Sequence, residues 1–257
     1  LAGSTTDPHR LGGLAWVRRT GGRLSRAERR RLLLATAVGQ WTNAVGRVKL
    51  ALGRIPAAAA RVDLNALRIP DSRFAREAED ACSELPPTLQ GHSYRTWLFG
   101  HALAAVDGRE LDDELFYCGA LLHDYGIVNP TANRDFTLGS AERMFSCASA
   151  AGVDDQRAEL LGDGICVHTT PGITVEADGV MGCYLQWGAM VDGAGLRIWD
   201  IAPDNVAEAL RRYPRGDFKR DLVNMIRAEA AAVPDGRFGL LVRCGMPLAV
   251  RLAPFDS

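Results

Sequence analysis

At 257 residues the chain can form one large domain or two small ones, and 47% hydrophobic residues are enough for a sizeable core. A formal net charge of −1 gives no global field toward nucleic acid or an anionic membrane, so neither is expected as a partner. Six cysteines without a C-x-x-C pair lie mostly in apolar runs, which speaks against a disulfide framework and for reduced core thiols and a cytoplasmic location.

Residues 1–24 hold five glycines and scattered polar groups, including His9, and read as a loose arm without chemistry. Arg29-Arg-Arg-Leu-Leu-Leu has only a superficial likeness to an export signal, because its apolar run stops at Gln40. No run approaches the ~18 apolar residues a membrane span requires. Ser25-x-x-Glu28 is a capping box, and behind it Leu34, Val38, Trp41, Val45, Val48 and Leu52 recur at +4 and +3 spacing. That stripe predicts an amphipathic helix, with Arg26, Arg29, Arg30 and Arg31 on its first turns as a solvated face, and docking of a second copy of the chain to form a homodimer is the alternative reading. Residues 54–65 read as a connector, so the expected division is an arm with its amphipathic helix over 1–66 and a second domain with a C-terminal tail over 67–257. Helical patterns cover roughly 71–84, 90–107, 111–125, 138–151, 154–168, 178–192, 203–212 and 216–232; a short strand over 238–243 is the one β expectation. The fold class is therefore all-α.

Within this frame Cys118-Gly-Ala-Leu-Leu-His123-Asp124-Tyr-Gly126 stands out, since a run that is apolar on every side of a helix delivers two adjacent polar residues at its end. Gly126 is expected to stop the helix in the left-handed conformation. A carboxylate at a helix C-terminus meets the negative end of the helix dipole, and in apolar surroundings it needs a positive partner such as a divalent cation. His92, 31 positions earlier, and Asp192, at the end of another apolar run, supply further ligands. Two imidazoles and two carboxylates suit zinc, iron, manganese, nickel or cobalt and leave coordination positions open.

His92, then Leu121-Leu-His123-Asp124, then Asp192 resembles the HD superfamily of metal-dependent hydrolases, most closely its cyanamide hydratase-like branch. Ile69-Pro-Asp-Ser72, His92-Ser-Tyr-Arg95 with Phe99-Gly100, Ile165-Cys-Val-His168-Thr and Gly188-Ala-Met-Val-Asp192-Gly-Ala-Gly195 extend the likeness from about Leu67 to about Pro234. The resemblance implies a helical bundle with one divalent metal ion, zinc favoured, held by His92, His123, Asp124 and Asp192 between its central helices. It further implies a metal-activated water directed at a small molecule such as a cyanamide, nitrile or amide, with Asp124 holding that water and His168 as general acid or base. Arg95, three positions after His92, is a substrate-binding candidate or a brace for Asp124. Two other functions stay open: a phosphohydrolase, and a non-catalytic ligand-binding module. Phosphohydrolase relatives carry a lysine shortly after the His-Asp pair, where this chain has Tyr125-Gly126-Ile127, and Arg95 or Arg134 would have to replace that charge. The cyanamide pattern has a carboxylate where this chain has Phe136-Thr137-Leu138-Gly139, which shifts the expected substrate away from cyanamide itself.

Overall fold

The computed structural model describes residues 10–256, and His9 lies outside them. Among the described residues there are twelve α-helices and no β-strand, which bears out the all-α class. In chain order they are α1 (Leu14–Thr20), α2 (Arg26–Ala51), α3 (Arg73–Ser83), α4 (Pro87–Val106), α5 (Asp113–Leu122), α6 (Phe136–Ala151), α7 (Asp155–Val167), α8 (Val175–Ala194), α9 (Pro203–Arg212), α10 (Phe218–Ala232), α11 (Arg237–Arg243) and α12 (Met246–Arg251).

The central pair is α4 against α8, with α5, α6 and α7 packed alongside. Pro87 opens α4, where a missing N–H costs nothing, and Leu89, Leu98, Phe99 and Leu103 along it are fully buried. Gly188 lets the two helices touch, since a Cβ there would lie 2.4 Å from the carbonyl oxygen of Thr96. The Asp112 side chain caps α5 by accepting from the N–H of Leu115 at 3.0 Å, and every residue from Leu115 to Leu122 is buried.

Three expectations are corrected. The described part of the supposed loose arm is packed: Trp16 and Val17 are fully buried in α1, Trp16 Nε1 donates to Glu28 at 2.7 Å, and Arg10 pairs with Asp163 and, at 2.7 Å, with Asp178. Gly12, Gly21 and Gly22 have positive φ, so these glycines build tight turns instead of a flexible tether. Residues 238–243 are helical, in α11, because the short apolar run is compatible with either state and Arg237 ties its start to Asp135 at 2.8 Å. Gly126 does not adopt the left-handed conformation. Helix α5 ends instead in a tight 3-10 turn over Tyr125–Val128, and Gly126 is needed there because a Cβ would meet the carbonyl oxygen of Phe136 at 2.1 Å.

Helix α2 forms where the stripe predicts it. The Ser25 and Glu28 capping box forms as read. The apolar stripe, however, points outward, with Leu34 at 71% and Trp41 at 73% exposure, and among the described residues nothing covers it. The inward face carries Ala35, Thr36, Gly39, Asn43 and Gly46, and a Cβ on Gly46 would sit 2.3 Å from the Trp199 indole. Among the described residues no helix is long and apolar enough to cross a membrane.

Candidate metal centre

Three helices bring the site together from positions far apart in sequence. His92 comes from the second turn of α4, His123 and Asp124 from the end of α5, and His168 from the end of α7. All four are buried. His92, His123 and Asp124 each offer a ligand atom, those atoms lie within 4.8 Å of one another, and the group could hold a metal ion.

The hydrogen bonds behind the rings decide what faces forward. His123 Nδ1 lies 2.8 Å from the carbonyl oxygen of Ala120, and His168 Nδ1 lies 2.5 Å from that of Ile165. A carbonyl oxygen can only accept, so each Nδ1 carries a proton, and in the neutral form of each ring Nε2 is the free lone pair. His92 Nδ1 lies 2.7 Å from Asp192 Oδ2, which assigns the same tautomer. The three Nε2 atoms then surround one carboxylate. His92 and His123 stand 3.5 and 3.4 Å from Asp124 Oδ2, and His168 stands 3.4 Å from Oδ1.

This constellation has lone pairs on every side. His92 Nε2 and His123 Nε2 are 3.3 Å apart with no proton between them in these tautomers, and both face an anionic oxygen. Such a cluster repels itself in a buried place unless a proton or a metal ion sits among its atoms. Burial, reinforced by the neighbouring His168 and His92 rings, keeps the pKa of His123 below the usual imidazole value. Burial would raise the pKa of Asp124, but the adjoining His123, His168 and His92 rings outweigh it and hold the carboxyl well below the usual range. His92 is raised despite its burial, because it bonds to both Asp124 and Asp192. The site thus selects for positive charge at the point where the rings meet, and borderline nitrogen and carboxylate donors are the set that divalent transition metals prefer.

Asp192 is not where the sequence places it. Its Oδ2 accepts from His92 Nδ1 and from Arg95 Nη2 at 2.8 Å, and its Oδ1 accepts from Arg95 Nε at 2.9 Å and from Arg215. Both oxygens are spent behind the ring, so Asp192 orients His92 rather than joining the ligand atoms, the arrangement in which a carboxylate fixes a ligating imidazole. Arg95 is corrected with it. This guanidinium is fully buried and gives its remaining N–H groups to the carbonyl oxygens of Tyr213 and Pro214, so it braces Asp192 and is closed to substrate. Arg134 pairs with Glu142 at the surface. Phe218 stacks on His92 at 4.6 Å and lies under both guanidinium groups.

His92, Asp124 and His168 open onto a cavity of about 210 Å³, walled by Ile127, Leu222, Ile226, Phe238 and Val250 and roofed by α2. Three residues at the site were missed by sequence reasoning. Arg215 lies in a loop with no periodicity, whereas Thr36 and Asn43 had a signal in their seven-residue spacing on the face of α2 opposite the apolar stripe. No protein-family model matches the chain, and no curated protein matches it.

Proposed function

We propose that this protein is a metal-dependent hydrolase or hydratase of the HD type, acting on an uncharged small molecule, with one divalent ion, zinc favoured over iron, manganese, nickel or cobalt. The observation that carries the reading is the convergence of three Nε2 lone pairs on Asp124 at the wall of a largely apolar cavity. A divalent ion bound there supplies Lewis acidity and makes water a competent nucleophile near neutral pH.

The chain's own residues do the rest. His92, His123 and Asp124 hold the ion, and Asp192, gripped by Arg95 and Arg215, keeps His92 in the tautomer that can ligate. Asp124 divides its oxygens, with Oδ2 toward His92 and His123 and Oδ1 toward His168. His168 is therefore positioned to hold or pass a proton at Nε2 beside the reacting atoms. The apolar walls exclude bulk water, which strengthens each of these polar contacts. Among the described residues that line the cavity there is no lysine or arginine, and this favours an uncharged substrate over a phosphoester.

Elemental analysis of the native protein and of Asp124→Ala, run with turnover of nitriles, amides, cyanamide and phosphoesters, tests the reading. The expected result is about one metal per chain, lost in the variant together with turnover. A metal-free native protein that also ignores added metals would overturn it in favour of a ligand-binding module.

A further inference from the structure

Helix α2 carries two interior glycines, Gly39 and Gly46, and a glycine inside a helix is less stable there than an alanine. Gly46 is required by packing, because a Cβ on it would lie 2.3 Å from the Trp199 indole. Gly39 is different. Among the glycines of the described residues it is the one that has neither a positive φ nor any atom within 4 Å of a Cβ built on it. The direction of its missing side chain is known. Leu32, Gly39 and Gly46 are spaced by seven and fall nearly in one row along the helix, and Leu32 and Gly46 are the two buried residues of α2. The row faces the protein, and at Gly39 it meets the cavity.

The space left open under Gly39 suits hydrocarbon. Gln40 donates to the carbonyl oxygen of Cys244, and Gln186 donates to those of His168 and Thr170. The side-chain oxygens of Thr36, Asn43 and Thr169 are covered by neighbouring atoms, and no lysine or arginine lines the cavity among the described residues. What remains is the wall of Ile127, Leu222, Ile226, Phe238, Leu241 and Val250. At about 210 Å³ the cavity exceeds the ~150 Å³ at which an apolar cavity takes up benzene.

We infer that the cavity binds a molecule with a compact hydrocarbon body, about the size of one benzene ring with a short substituent, and that the missing side chain at Gly39 determines the size of body admitted. This rests on the metal-site reading only for the end of the molecule at the histidine wall. Binding of the body is measurable without metal or turnover.

The probes are toluene, which has a body and no reacting group, benzonitrile, and phenyl phosphate as the charged counterpart, each titrated calorimetrically into the full chain with and without added zinc. Toluene is expected to bind whether or not zinc is present, and phenyl phosphate to bind on the order of a hundredfold more weakly than benzonitrile. Gly39→Ala should raise the melting temperature by about 2–4 °C, since nothing opposes its Cβ. Gly39→Leu places four carbons in the cavity and should weaken toluene and benzonitrile at least tenfold; Gly39→Met, with a more flexible chain, should do the same if leucine does not fit. Trp41→Gln, on the outward face of α2, reports binding to the exposed stripe and should leave both affinities within twofold. No toluene binding, native affinity in Gly39→Leu and Gly39→Met, a lowered melting temperature in Gly39→Ala, loss of binding in Trp41→Gln, or phenyl phosphate binding as tightly as benzonitrile would each overturn the inference. Toluene bound and expelled as expected, with zinc changing neither benzonitrile affinity nor turnover, would leave the inference standing and remove the hydrolase reading.

Discussion

Glu229 is a buried carboxylate that the metal centre does not use. One oxygen accepts from the N–H of Phe136 at 3.1 Å, while the other has no partner among the described residues. Burial, and then the nearby Asp135 carboxylate, push its pKa up from 4.5 to about 7. As pH rises from 4.5 toward 7, the unfolded chain releases this proton while the folded chain keeps it, so stability falls through that window and the loss is complete above it. The difference is of order 3 kcal/mol at ~1.4 kcal/mol per pH unit. Glu229→Gln has no proton to release, so urea denaturation at pH 5, 6, 7 and 8 is expected to show a clearly shallower decline than the native chain. Equal slopes would refute the assignment. The same scale shows where reading single residues stopped short. Asp192 is a metal-ligand type at a plausible position, but whether its oxygens face a metal or a guanidinium depends on Arg95 and Arg215, and Arg215 arrives from a distant loop.

At the scale of elements, α2 shows why periodicity predicts a helix more safely than its orientation. The stripe from Leu34 to Leu52 was read as a face seeking cover, and the helix forms with the expected cap, yet small residues face the protein. The reason is steric: the inner face must clear Trp199 at Gly46 and leave the cavity open beside Ala35 and Gly39. Trp41→Gln is therefore expected to change stability by no more than about 0.5 kcal/mol, measured by chemical denaturation at two protein concentrations. A larger loss that depends on concentration would show that a second copy covers the stripe in solution. Helix α11 carries a related lesson, since six or seven apolar-rich residues suit a strand or a buried helix equally well, and a tertiary ion pair selects between them.

At the scale of the whole molecule, the His-Asp cluster joins the ends of α5 and α7 to the middle of the core, so a cation bound there is bound only by the folded chain. Linkage then predicts that stripping the metal lowers the melting temperature. At free metal near one hundred times the dissociation constant the loss is about 2.7 kcal/mol, or roughly 5–10 °C for a chain of this size. Scanning calorimetry with and without a chelator checks it, and an unchanged transition would mean that no cation is held there. The all-α class, the cap of α2, the buried character of α5 and the candidacy of His92, His123, Asp124 and His168 were all legible in the sequence, because each depends on local periodicity or on the chemistry of one residue type. What the tertiary structure alone decided was direction: which face of α2 meets the core, and which carboxylate turns to the imidazole rings and which turns to arginine. Directions of this kind arise from contacts between residues 100 or more positions apart, as between His92 and Asp192, and a linear pattern carries no record of them.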